Sequence, residues 1–359
     1  MDVQSIKEIK GQDSQVLGTM KTMGHEQVLF CNDQKTGLQA IIAVHNTVCG
    51  PALGGTRMWQ YKNEADALKD VLRLSRGMTY KNSISGLNLG GGKAVIIGNS
   101  REDKSEGLFR RFGQFVDSLN GKYITAEDVG ISPADMVHVS QETKHVAGLP
   151  GKSGDPSPVT AYGVYMGMKA SAKIQFGSDS LAGKKVSVQG VGHVGEYLVG
   201  HLAKEGAEIF ISDIHEPTLA NVASKYGATV VGLDEIYDLD VDVYAPCALG
   251  ATVNDETLKR LKCSIIAGAA NNQLANESVH GEQVRGMGII YAPDYLINAG
   301  GVMNCYGEVA GLPEDEVMKM AENIYNTTLQ IIENSRDQGI PTYLAANRMA
   351  EKRIADLSA

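Results

Sequence analysis

The chain has 359 residues, 43% hydrophobic and 21% charged, with a formal net charge of -9. That length exceeds what one hydrophobic core usually supports, which predicts two domains. The negative charge argues against nucleic acid or an anionic membrane surface as the main partner, because both would repel it.

In chain order, the opening residues MDVQSIKEIKGQDSQ are too polar for a signal peptide, and no apolar run approaches a membrane span of ~18 residues. The first half mixes strands (LQAIIAVHNT, KAVIIGN) with helices (ADALKDVLRLSRGMTYKN, EGLFRRFGQFVDSL) and reads as an α/β domain, residues 1–148. Gly90-Gly91-Gly92-Lys93 fails as a Walker A loop, since Leu87 and Ala94 stand where that motif needs glycine and serine or threonine. The triple glycine can instead bring backbone close to a ligand, with Lys81 and Lys93 twelve residues apart around it. Two ammonium groups in one cleft disfavour charging both. With desolvation, that effect lowers a lysine towards neutrality and makes it a usable base. Asp128, in ITAEDVG, is the candidate carboxylate partner; its alternative is to cap the helix begun by ISPADMVHVS.

The stretch GLPGKSGDPSP marks a loop or hinge, and the second domain is expected over residues 149–330. Val159–Lys173 reads as a helix. Lys185–Gln189 is a short strand, followed by a glycine-rich turn and a helix to about Lys204; Glu208–Ser212 is a second strand. Further short apolar runs follow at VDVYAPCA, CSIIAGAA and GIIYAPDY, so strands alternate with helices as in a doubly wound parallel sheet. Gly190-Val191-Gly192-His193-Val194-Gly195 fits GxGxxG in the right context, after a strand and opening a helix. Asp213, 23 residues after Gly190, should accept from the adenosine ribose hydroxyls and repel a 2′-phosphate. No arginine or lysine follows within ten residues, so NAD is expected over NADP. From about Glu314 helical periodicity runs to the end, broken near Gly339–Pro341. The five cysteines, Cys31, Cys49, Cys247, Cys263 and Cys305, show no CxxC pair and no ligand spacing to histidine. Reduced thiols in a cytoplasmic protein without a metal site are expected.

Several long motifs, among them TYKNSISGLNLGGGKAVIIGN, GPALGGTRMW, YITAEDVG, SPVTAYGVYMGMKA, VQGVGHVGEYL, YAPCALGAT, IAGAANNQL and YAPDYLINAGGV, together resemble the glutamate/leucine/phenylalanine/valine dehydrogenase family. The resemblance runs from about His25 to Ala359. It implies an N-terminal α/β catalytic domain, a Rossmann NAD domain, a cleft between them that closes during turnover, and C-terminal helices (about 331–359) returning to the first domain. By residue, it assigns Lys81 to the substrate α-carboxylate, Lys93 and Asp128 to catalysis, and Thr160 and Asn271 to the nicotinamide carboxamide. The substrate pocket it implies contains Leu53, Gly54, Met78, Ala126, Val302 and Cys305. Glutamate-specific relatives carry lysine at the place of Leu53 and serine at that of Cys305, so an aliphatic substrate is implied: leucine, isoleucine and valine, deaminated reversibly to 2-oxo acids and ammonia. Cys305 departs from the usual valine. The resemblance also implies a homo-octamer. Phenylalanine- or valine-specific activity is the alternative, and a catalytically silent NAD-binding protein a more distant one.

Overall fold

The structure, a computed structural model, describes residues 16–152 and 154–358. They divide into two compact units. The first takes the described residues up to Gly154, Cys305–Gly311 and the described part of Ala350–Ala359; the second takes Asp155–Asn304 and Leu312–Met349. In this division the chain comes back to the first unit at Cys305–Gly311 and again from Ala350, and of the C-terminal stretch of about 331–359 expected to return, residues up to Met349 fall in the second unit. Among the described residues no helix is long and apolar enough to cross a membrane.

The first unit runs α1 (Val16–Met23), β1 (Gln27–Asp33), β2 (Leu38–Asn46), β3 (Ala52–Trp59), α2 (Glu64–Ile84), β4 (Gly90–Ile97), α3 (Glu106–Asp117), β5 (Tyr123–Glu127) and α4 (Pro133–Ser140). Its strands form one sheet in the order β1-β2-β4-β3-β5. β3 pairs in parallel with β4 and β5, while β1–β2 and β2–β4 are antiparallel. Alternation along the strands sorts side chains to two faces. Ile41, Ala43 and Val95 pack under Ala67, Leu68, Val71 and Leu72 of α2. Ala40, Ile42, Ala94 and Ile96 form the opposite core with Phe109 and Phe112 of α3 and Met136 and Val139 of α4. The register pairs Leu53 with Gly91 and Ile124, and Gly55 with Ala126. Lys93 pairs with Ala43. Leu53, Ala126 and Lys93 therefore share the α2 face of the sheet.

The second unit runs α5 (Ser157–Phe176), β6 (Lys185–Gln189), α6 (His193–Glu205), β7 (Glu208–Ser212), α7 (Glu216–Tyr226), β8 (Thr229–Val230), β9 (Val243–Pro246), β10 (Ile265–Ile266), α8 (Glu277–Gly286), β11 (Ile290–Tyr291), α9 (Asp294–Ile297), α10 (Gly300–Ala310), α11 (Glu314–Glu322), α12 (Ile324–Gln338) and α13 (Thr342–Ser358), the last residues of α10 and α13 belonging to the first unit. The sheet order is β11-β10-β9-β6-β7-β8, with every pairing parallel. This is the doubly wound order whose direction reverses between β6 and β9, and ligands bind at the carboxyl ends of the strands flanking such a reversal.

Candidate active site

In the first unit the strand face described above carries an ion pair. Lys93 Nζ lies 2.8 Å from Asp128 Oδ2. The lysine is 6% exposed, held in mid-strand on β4. Asp128 follows β5 directly, and its alternative role as a helix cap falls to Ser132, whose hydroxyl and Asp135 form a reciprocal capping box on α4. Glycines make room for the pair. A Cβ on Gly54 would fall 1.8 Å from Gly92 O and 3.3 Å from Met78 Cγ; one on Gly55 would fall 2.4 Å from Glu127 O and 3.0 Å from Asp128 Cβ. Only residues without a side chain let β3 lie this close to its neighbours.

Burial pulls the Lys93 ammonium below the ordinary lysine range; Asp128 opposes this, and the neighbouring Arg57 guanidinium adds to it. Desolvation is thus the larger cause, and the like charge comes from Arg57 on the next strand. Arg57 is a source of like charge that the sequence reading does not single out. For Asp128, burial pushes the carboxyl up, but Lys93 and Arg57 outweigh it and hold the group below its usual range. Lys81 sits half-buried in the last turn of α2, which packs on β4. Leu53 is 2% exposed, Ala126 is buried, and Met78 is half-buried on α2. Cys305 is half-buried on α10, its thiol pushed up to about 12 by burial. All five cysteines are free thiols.

In the second unit each glycine of the turn has its own geometry. Gly190 has φ +100° and packs so tightly that a Cβ would fall 2.6 Å from Ala248 Cβ. A Cβ on Gly195 would fall 2.1 Å from Gly190 O, so helix α6 could not seat on the turn with any larger residue. Gly192, by contrast, has no atom within 4 Å of its Cβ position. It is the N-cap of α6 without a side-chain cap, so the first N–H groups and the positive end of the helix face outward beside it. His193 is exposed, Val194 half-buried and Val191 buried. A backbone open at one glycine and closed at two others fits a pyrophosphate. Asp213, just beyond β7, accepts from Val191 N–H (2.8 Å) through Oδ2 and from His215 N–H (2.8 Å) through Oδ1. The acid therefore braces the glycine turn, and each oxygen keeps a second lone-pair direction for a hydroxyl donor. Thr160 and Asn271 meet a common segment, residues 298–301. Asn298 Nδ2 donates to Asn271 Oδ1 (2.8 Å), and a Cβ on Gly300 would fall 2.3 Å from Thr160 N. Val302 follows, buried on α10.

Sequence reasoning missed Arg57, Asp70 and Tyr61 in the first unit. Arg57 Nε lies 3.2 Å from Asp128 Oδ2, its NH1 lies 3.0 Å from Asp70 Oδ2, and Tyr61 OH donates to Asp70 Oδ2 at 2.8 Å. The available signal was the arginine ending GPALGGTR, which gains meaning only when β3 is laid beside β5.

Two family profiles match the chain: "Glu/Leu/Phe/Val dehydrogenase, dimerisation domain" over residues 25–145, and "Glutamate/Leucine/Phenylalanine/Valine dehydrogenase" over residues 211–359. A leucine dehydrogenase of Bacillus subtilis is 55% identical over 338 residues, 93% of this chain and 93% of its own. An L-tryptophan dehydrogenase of Nostoc punctiforme is 51% identical over 336 residues, 94% of this chain and 95% of its own. The crystal structure of L-tryptophan dehydrogenase from Nostoc punctiforme matches with a TM-score of 0.88 at 48% identity, covering 96% of this chain and 100% of that one.

Proposed function

Since the chain belongs to the glutamate/leucine/phenylalanine/valine dehydrogenase family and is an amino-acid dehydrogenase that works with a nicotinamide cofactor, we propose that it reversibly deaminates leucine, isoleucine and valine with NAD. The observation that carries this reading is Leu53. It lies buried on the same sheet face as the Lys93–Asp128 pair, and its aliphatic side chain offers a γ-carboxylate no charge to pair with. An unpaired carboxylate in an apolar pocket costs several kcal/mol. The 55% identity to a leucine dehydrogenase supports the same choice. Differences among aliphatic substrates are worth only about 1–3 kcal/mol per methylene, so all three turn over.

When bound, the nicotinamide supplies the acceptor for the Cα hydride. Lys81 holds the substrate α-carboxylate. Lys93, its pKa lowered chiefly by burial, takes a proton from the water that adds to the imine carbon. Asp128, kept ionised by its two cations, exchanges protons with the substrate nitrogen; collapse of the adduct then releases ammonia and the 2-oxo acid. Gly190, Gly192, Gly195 and the start of α6 hold the pyrophosphate, and Asp213 holds the adenosine ribose. Asp213 carries the preference for NAD over NADP, because its carboxylate repels a 2′-phosphate. We assign the working form to a cytoplasmic homo-octamer. The test is NADH production by the purified enzyme across leucine, isoleucine, valine, phenylalanine, tryptophan and glutamate, repeated with NADP. The three aliphatic substrates should lead with NAD, with glutamate lower by ~10³ or more. Tryptophan, phenylalanine or glutamate as the best substrate, or equal use of NADP, would overturn the assignment.

A further inference from the structure

Behind the Lys93–Asp128 pair stands a second tier of charge that the reaction chemistry does not call for. Arg57 projects from β3 between two carboxylates, with Nε 3.2 Å from Asp128 Oδ2 and NH1 3.0 Å from Asp70 Oδ2. Asp70, on α2, is itself held from two further sides. Tyr61 OH donates to its Oδ2 at 2.8 Å, and Arg73 NH2 lies 3.1 Å from its Oδ1. Arg57 and Asp70 are largely buried, with side chains 23% and 17% exposed. The guanidinium is planar, so fixing NH1 on Asp70 also fixes the direction of Nε. Both cations meet the same oxygen of Asp128: Lys93 from β4 and Arg57 from β3. The carboxylate follows directly after the last residue of β5, and the two cations that meet its Oδ2 from neighbouring strands are what fix its direction.

We propose that Arg57 is a positioning residue for the deamination chemistry: anchored by Asp70 and Tyr61, it fixes the carboxylate of Asp128 against Lys93. This rests on the dehydrogenase reading above. The charged and titratable groups that act on Asp128 are Lys93 from β4, Arg57 from β3, and Glu127 and Tyr123 from β5, with Asp70 of α2 acting on Lys93. Removing the Arg57 charge takes a cation from both members of the pair. The Asp128 carboxyl must then titrate higher, because an opposite charge is gone. The Lys93 ammonium must also titrate higher, because a like charge is gone. Both limbs of a pH profile therefore move in the alkaline direction, whereas an arginine that merely props the sheet would leave them in place.

The experiment compares the full-length wild type with Arg57→Met, Arg57→Lys and Asp70→Asn. Arg57→Met should lower kcat by ~10-fold or more through misplacement of the pair, with a smaller change in amino-acid KM. The limbs of kcat/KM should move up by about one pH unit. Arg57→Lys should restore the limbs, since the charge returns, but only part of kcat, since one ammonium cannot span both carboxylates. Unmoved limbs with kcat within about threefold of wild type would overturn the proposal. If Arg57→Met does not fold, Asp70→Asn, which keeps the cation and removes its anchor, should lower kcat without the alkaline shift, any movement of the Lys93 limb being to lower pH because a carboxylate that favours its charge is gone; unchanged kcat there overturns it equally. A second readout does not depend on the substrate assignment. In protein labelled with carboxyl-13C aspartate, the Asp128 resonance, identified by its loss in Asp128→Asn, should titrate at higher pH in Arg57→Met. An unchanged titration refutes the positioning role even where no amino acid is turned over, whereas a wild type inactive on every amino acid refutes the dehydrogenase reading alone.

Discussion

At the scale of single residues, Lys93 brings the largest cost and the largest expected return. A 6% exposed ammonium on a central strand is destabilising, and the shift that burial imposes makes its neutral form accessible nearer to neutral pH. Lys93→Ala should lower kcat by at least ~10²-fold, the usual scale for general acid–base catalysis, and leave cofactor Kd unchanged. Steady-state kinetics together with cofactor titration checks both halves, and near-normal turnover would sink the assigned mechanism. Asp213 has two jobs to separate. Asp213→Ser should narrow the NAD over NADP ratio of kcat/KM by about tenfold, by removing repulsion of the 2′-phosphate. It should also lower Tm, because the Val191 and His215 amides lose a charged acceptor worth about 1–3 kcal/mol. A lower Tm with an unchanged ratio would leave Asp213 as a brace only. Lys93, Asp128 and Asp213 stood out in the sequence because each sits beside glycines or at a strand end, and those contexts are local. Arg57 and Asp70 lie 71 and 58 residues before Asp128, and no local pattern joins them to it.

At the scale of elements, the sequence showed the apolar strands β2, β4, β6 and β7 and most helices, but not β1 or β3. β3 reads ALGGTRMW; two glycines depress its strand propensity, and only the closeness of Gly92 O and Glu127 O explains why they are there. What locks α2 over this sheet is a pair of buried histidines. His25 Nε2 reaches Leu72 O (3.1 Å) and Ser75 Oγ (2.9 Å) on α2. His45, at the end of β2, meets Thr79 Oγ1 through Nδ1 (2.8 Å) and Met23 O through Nε2 (3.0 Å). The rings stand edge to face with centroids 4.7 Å apart. Burial lowers both to about 4, and a charge on His45 adds to the shift at His25. The folded pKa values lie below the unfolded ~6.5, so the unfolded chain binds more protons between pH 6.5 and pH 4. Stability is therefore full above that window and is lost as pH falls through it, by about 2 kcal/mol per histidine between pH 7 and pH 5. His45→Gln should lower Tm at pH 7 yet flatten its decline towards pH 5. Thermal unfolding across that range checks this, and parallel curves for the two proteins would show that the pair does not titrate as a folded-state liability.

At the scale of the whole molecule, the first unit is finished by the end of the chain, and nothing in the periodicity of the last fifty residues says so. The final turns of α13 run alongside the loop from α2 to β4, the segment that links Lys81 to Lys93. Arg353 NH1 donates to Leu87 O (2.8 Å), and its NH2 to Gly86 O (3.2 Å) and Asn88 Oδ1 (3.2 Å). Ser83 Oγ donates to Ala350 O (2.8 Å), and Tyr80 OH to Glu351 Oε1 (2.6 Å). One guanidinium thus satisfies two carbonyls and a side-chain amide oxygen of the loop that follows α2, in a turn where Gly86 sits at φ +73°. Arg353→Ala should cost about 1–3 kcal/mol, because these acceptors lose charge-assisted donors. The kinetic consequence separates this clamp from general destabilisation. Lys81 occupies the last turn of α2, two residues before Ser83, so loosening the loop moves the group assigned to the substrate carboxylate before it disturbs Lys93 in mid-strand. The expected result is a KM for leucine raised severalfold with kcat changed less, while cofactor Kd, set by the other unit, stays put. Arg353→Lys should recover part of both, since an ammonium can reach one carbonyl but not three acceptors at once. A normal KM in an Arg353→Ala protein of lowered Tm would mean that the last helix supports the fold and has no hold on the loop that carries Lys81.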